Sequence, residues 1–112
     1  MIEARERTVE AMSSTPEGRI QQAIQKRLGQ LGVFVFKVHG SALMPAGLPD
    51  LICCVEGMFL GLEVKTPQTK RDVSRVQEYM HSKIELAGGK VFVVCSVEDA
   101  EQAVAFVLDQ SS

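Results

Sequence analysis

The chain has 112 residues, 46% of them apolar and 23% charged, with a formal net charge of −2. That length provides one hydrophobic core and excludes a multi-domain enzyme or a two-lobed nucleotide fold; the apolar content with balanced charge excludes a disordered chain. No apolar run approaches the roughly 20 residues of a membrane span, and the opening MIEARERTVE is too charged for a signal peptide, so a cytoplasmic protein with no membrane partner is expected.

Residues 1–14 show weak periodicity and read as an N-terminal arm; residues 15–112 read as a single domain. Thr15-Pro16-Glu17 opens a helix, with Thr15 as N-cap, Pro16 at the first helical position and an acid in the first turn. Ile20, Ile24, Leu28 and Leu31 recur at helical spacing, and Gly32 closes the helix. Val33 to Val38 is β-branched and aromatic and predicts a strand; HGSALMPAGLP is a loop. Asp50 to Val55 and Met58 to Lys65 form a hairpin across Glu56-Gly57. After the loop TPQTKRD, Val73, Val76, Met80, Ile84 and Ala87 mark a second helix closed by Gly88-Gly89. Val91 to Cys95 is the fourth strand. Ser96 with Asp99 resembles a capping box, opening a third helix with Ala100, Ala103, Val104, Val107 and Leu108 inward. The order α-β-β-β-α-β-α, a hairpin followed by a β-α-β crossover, predicts an α/β domain with a mixed sheet flanked by helices.

The charge is unevenly placed. Residues 18–49 carry Arg19, Lys26, Arg27 and Lys37 and no acid; residues 50–64 carry Asp50, Glu56 and Glu63 and no base; residues 65–83 are basic again through Lys65, Lys70, Arg71, Arg75 and Lys83. An acidic cluster between basic stretches suits a metal site flanked by phosphate-binding surface. The three cysteines form no Cys-x-x-Cys or Cys/His cluster, and the adjacent Cys53 and Cys54 point to opposite faces of a strand. They read as small buried apolar residues rather than zinc ligands.

Chemistry concentrates in GLPDLICCVEGMFLGLEVK. Alternation places Glu63 and Lys65 on one face of their strand and Leu60, Leu62 and Val64 on the core face. Hairpin pairing across Glu56-Gly57 brings Asp50 beside Glu63. Two converging carboxylates repel unless a cation lies between them, and hard oxygen donors select Mg²⁺ or Mn²⁺. The Val64 carbonyl is a further candidate ligand. A divalent ion there would acidify water and offset charge on a phosphorane. Lys65 is placed to orient or deprotonate the attacking water or to hold the scissile phosphate. Glu17 shares a helix face with Ile20 and Ile24, so it is either a third ligand or a first-turn acid favoured by the helix dipole. Gln77 falls with Val73, Val76 and Met80 on the buried side of its helix, where a polar group needs a partner.

Pro49-Asp50 followed by Glu63-x-Lys65 resembles the PD-(D/E)xK nuclease superfamily. FKVHG at 36–40, AGLPDLI at 46–52, LEVKTP at 62–67, Gln77, and AGGKVFVVCSVEDA at 87–100 bring it closer to the VRR-NUC family, the virus-type replication-repair nucleases. The resemblance runs from about Glu17 to Val104. It implies a restriction-endonuclease-like fold, with Glu17, Asp50, Glu63 and the Val64 carbonyl as ligands of Mg²⁺ or Mn²⁺, Lys65 as the catalytic lysine and Gln77 as a supporting active-site residue. It further implies a phosphodiester hydrolase acting on DNA, without a small-molecule cofactor. Some members are large flap nucleases; minimal stand-alone members look like phage or bacterial homodimers acting on four-way (Holliday) junctions in recombination and repair. The short chain resembles the minimal type, at work in the cytoplasm of a bacterial or phage-infected cell. The rival readings are a catalytically idle nucleic-acid-binding module with the same fold, a nuclease of flaps or other branched DNA, and a small α/β interaction protein whose acids merely decorate the sheet.

Around this site, Lys37 and His39 lie at the end of the first strand, and Lys70, Arg71 and Arg75 follow the Glu63 strand. All five are candidates to hold the DNA backbone, since phosphate contacts supply affinity without sequence readout. His81 carries no signal of its own.

Overall fold

The computed structural model describes residues 15–111; the arm expected over 1–14 lies outside them. Three helices and four strands follow in the expected order: α1 (Pro16–Gln30), β1 (Phe34–Lys37), β2 (Leu51–Val55), β3 (Met58–Val64), α2 (Arg75–Leu86), β4 (Lys90–Val94) and α3 (Val97–Ser111). The first three strands are slightly shorter than the apolar runs that predict them: Val33, Val38, Asp50 and Lys65 fall just outside. β4 is shifted by one residue, taking in Lys90 and leaving out Cys95. α2 begins at Arg75 rather than Val73 because Ser74 is its cap.

Local chemistry fixes these boundaries. The Thr15 hydroxyl accepts the Gly18 N–H at 3.0 Å, satisfying one of the donors that a helix start leaves open. At the other end of α1, the Gly32 N–H bonds to Gly29 O and the Val33 N–H to Leu28 O, a Schellman closure. The same closure recurs on α2, from Gly88 to Glu85 and from Gly89 to Ile84. Glu56 and Gly57 both have positive φ, 50° and 81°, the signature of the two-residue turn whose twist matches paired strands.

The sheet order is β1-β2-β3-β4, antiparallel across the first two pairs and parallel between β3 and β4. The α2 crossover makes the parallel step possible. Leu51, Cys53, Val55, Leu60, Leu62, Val64 and Val94 form the sheet side of the core, met by Ile24 and Leu28 of α1 and by Ala100, Ala103, Val104 and Val107 of α3. α1 and α3 share this face and are joined by an Arg27–Glu101 ion pair at 2.6 Å, which is solvent-facing and so contributes little. α2 lies over the other face.

Several sequence expectations need correction. Leu31, Leu108 and Val76 are exposed at 48%, 42% and 51%. Leu31 is the C-cap of α1, and Leu108 follows the fully buried Val107. α2 has no fully buried residue, and it rests on the sheet through Gln77, Met80, His81 and Ile84, so Val76 and Ala87 turn outward. Of the cysteines, all free, only Cys53 is buried; Cys54 is exposed and Cys95 intermediate. Burial pushes the Cys53 thiol up to about 12, leaving it unreactive. Among the described residues, no helix is long and apolar enough to cross a membrane.

Candidate active site

The site begins with a charge in an apolar strand. Glu63 lies between Leu62 and Val64, both 0% exposed, and is itself 1% exposed. Its alternation points it away from the main core, under α2. Continuing the β2–β3 register beyond Leu51↔Leu62 sets Asp50 opposite Glu63. The corner that carries Asp50 is seated by close packing: a Cβ on Gly61 would stand 2.6 Å from the Pro49 ring, so only glycine lets Pro49 lie across β3. Asp50 Oδ2 then accepts the Val64 N–H at 2.7 Å, a short bond to a charged acceptor. The backbone between Glu63 and Lys65 thereby fixes the aspartate.

The Glu63 carboxylate is held from several sides. Gln77 Nε2 donates to Oε2 at 2.8 Å. The Gln77 amide is itself oriented, because its Oε1 accepts the Ser74 N–H at 2.9 Å while Ser74 Oγ accepts the Gln77 N–H at 3.2 Å. This reciprocal capping box ties the start of α2 to the site. Lys65 Nζ stands 3.8 Å from Oε2, with its side chain 13% exposed. His81 Nε2 stands 3.5 Å from Oε1. Oε1 and His81 Nε2 are buried without a hydrogen-bond partner.

Electrostatics follow from this packing. Burial, the Asp50 charge and a hydrogen bond shared with Asp50 push the Glu63 carboxyl up to about 8; Lys65 opposes the rise and Glu17 adds to it. Burial holds the His81 imidazole below its ordinary value, against the pull of Glu85, Asp50 and Glu78. A carboxyl that resists ionisation beside a second carboxyl is a site short of positive charge.

A divalent ion fits that shortage. The donors are hard oxygens, and one of them, Glu63 Oε1, is buried and unpartnered. Among the described residues, no three or more His, Cys, Asp or Glu side chains form a cage that could hold a metal ion. Mg²⁺ needs no such cage, since it is commonly held by one or two carboxylates with waters and substrate phosphate completing its shell.

The remaining sequence candidates divide. Glu17 is half-buried in the first turn of α1, near enough for its charge to act on Glu63. Gln21, one turn later, is 5% exposed with an unpartnered Oε1. Lys37 pairs with Leu51 and so sits at the Asp50 end of the sheet, though its register is on the core face. His39 is exposed in the following loop. Lys70 and Arg71 are exposed just beyond Lys65, on a turn tightened by paired Thr66 and Thr69 hydroxyls 3.0 Å apart, and Arg75 is exposed at the first position of α2. None of these five basic residues touches Glu63. His81 does, although no motif in the sequence singles it out. The one available signal is spacing: His81 follows Gln77 by four residues and so shares its helix face.

No family model and no curated protein matches the chain. Solved structures do. One described as "VRR_NUC domain" is 30% identical and superposes with a TM-score of 0.66, covering 82% of this chain and 97% of that one. Another, described as "VRR_NUC domain protein", is 15% identical with a TM-score of 0.64, covering 88% of this chain and 89% of that one; at that identity it speaks to the fold alone.

Proposed function

Because this chain belongs to the VRR_NUC domain family, a family of nucleases of the PD-(D/E)xK type, we propose that it is a divalent-metal-dependent DNA endonuclease that hydrolyses phosphodiester bonds in branched double-stranded DNA. Its substrate is the four-way junction, cut by a homodimer. The observation that carries the reading is Glu63: a fully buried carboxylate beside Asp50, with a free oxygen and a lysine at the rim. Such an arrangement costs stability and has no structural use without a cation.

Asp50, Glu63, the Val64 carbonyl and Glu17 would hold the ion. When bound, it supplies Lewis-acid stabilisation of charge at phosphorus and acidifies water. The chain's own groups do the positioning. Gln77 fixes Glu63 Oε2 and leaves Oε1 free. The Val64 N–H fixes Asp50 Oδ2. Lys65, partly exposed at the mouth, orients the attacking water or holds the scissile phosphate through Nζ. Lys37, His39, Lys70, Arg71 and Arg75 bind the DNA backbone, which fits selection by DNA shape rather than by base sequence. A single small site cuts one strand, and symmetric processing of a junction needs two; two-fold pairing is the commonest way to provide them.

The test is a cleavage panel of labelled four-way junctions, flaps and linear duplex in Mg²⁺ or Mn²⁺, with light scattering on the same sample. Paired cuts in the junction by a dimer, abolished in Asp50→Ala, are expected. Cleavage of flaps alone would move the substrate, a monomer would remove the dimer, and DNA binding without turnover on any substrate would establish the idle module instead.

A further inference from the structure

α2 meets Glu63 at both of its oxygens. Gln77 takes Oε2 with a hydrogen bond of 2.8 Å. One turn later, His81 brings Nε2 to 3.5 Å from Oε1. That gap is too long for a good hydrogen bond, and both atoms are buried and unpartnered. His81 and Gln77 thus face the same carboxylate from successive turns of one helix. Buried polar atoms left unpaired in a well-packed site ask for an absent partner. Two donors each about 2.1 Å from one ion stand roughly 3–4 Å apart, and Oε1 and Nε2 have that spacing.

We propose that His81 Nε2 is a ligand of the same divalent ion as Glu63 and Asp50, which makes the site a mixed nitrogen–oxygen one that favours Mn²⁺ over Mg²⁺. The proposal rests on reading the Asp50–Glu63 pair as a metal site. Mg²⁺ prefers oxygen donors throughout, whereas first-row transition ions accept imidazole. As they stand, the three side chains do not form a metal-holding group; binding would draw them together, and α2 keeps the imidazole within reach through its capping box at Ser74 and Gln77.

The experiment loads the full chain with Mn²⁺ and records pulsed electron paramagnetic resonance, with calorimetric titration of Mn²⁺ and Mg²⁺ in parallel. The variant is His81→Phe, which keeps the bulk of the ring and removes its donor. A nitrogen coupling to Mn²⁺ in the wild type is expected, absent in His81→Phe. The variant should lose about tenfold or more in Mn²⁺ affinity with little change for Mg²⁺. Mn²⁺ bound without nitrogen coupling overturns the proposal and leaves the nuclease reading intact. No Mn²⁺ binding by the wild type overturns the metal-site reading and His81 with it. The wild-type spectrum decides the matter even where His81→Phe does not fold.

Discussion

Replacing Glu63 by Gln is expected to stabilise the protein in the absence of divalent ions, increasingly so as pH rises. The carboxyl is raised from 4.5 to about 8, chiefly by burial and by Asp50. Below pH 4.5 both folded and unfolded chains hold the proton and the group costs nothing. Between 4.5 and 8 the unfolded chain gives up its proton while the folded one keeps it, so stability falls with rising pH; above 8 the cost is constant. Full ionisation corresponds to roughly 5 kcal/mol. Glutamine still buries a polar amide beside Asp50, so about half of that, ~2–3 kcal/mol, is carried into the comparison. For a domain this small, such a gain raises the melting midpoint by roughly 10 °C. Thermal melts of both proteins in EDTA at pH 5, 7 and 9 measure it, and the difference between the two curves cancels every group they share. The difference is expected to widen from pH 5 to 9. With saturating Mn²⁺ the order reverses, because only the wild type gains binding energy. A difference that stays flat with pH would show that Glu63 does not carry a raised pKa in the folded state.

Other perturbations separate the roles of neighbouring groups. Lys65→Ala is expected to slow single-turnover cleavage by about 10²–10⁴-fold while calorimetry still detects Mn²⁺ binding; cleavage at the wild-type rate would remove Lys65 from the chemistry. Gln77→Glu keeps an acceptor for the Ser74 N–H but adds a third carboxyl beside Glu63 and Asp50, so thermal melts at pH 8 should show a destabilisation of about 1–3 kcal/mol. Gly47→Ala combines a φ of +83° with a Cβ 2.5 Å from the Val76 carbonyl oxygen; it should cost about 1–3 kcal/mol in denaturant unfolding. Alanine at Lys70, Arg71 and Arg75 together should flatten the dependence of log binding constant on log salt by about 0.9 for each phosphate no longer neutralised, read from fluorescence anisotropy, with cleavage at saturating DNA unchanged.

Much of this arrangement is legible in the chain. Glu56-Gly57 fixes the hairpin register, and the two-residue alternation of β3 then sets Glu63 against Asp50 and away from Leu62 and Val64. Thr15 and the glycines after α1 and α2 mark helix ends through local hydrogen bonds that involve only neighbours in sequence. What escapes sequence reading depends on packing between distant segments. α2 is amphipathic in two overlapping ways, and only its docking decides that Gln77, His81 and Ile84 face the sheet while Val76 faces water. Leu31 and Leu108 fit the helical period yet are exposed. The nearly complete burial of Glu63 comes from Gln77, His81 and the Pro49 corner closing over it, which no local pattern encodes.

The proposed chemistry depends on a divalent cation that holds Asp50 and Glu63 together and displaces the proton that Glu63 otherwise keeps. Calorimetric titration of Mn²⁺ at pH 7, repeated in two buffers of different ionisation heat, measures ion and proton at once. With the carboxyl at about 8, binding in the wild type should release close to one proton per ion, seen as a heat that changes with the buffer and vanishes in Asp50→Ala. Absence of binding, or a heat that is the same in both buffers, would contradict it.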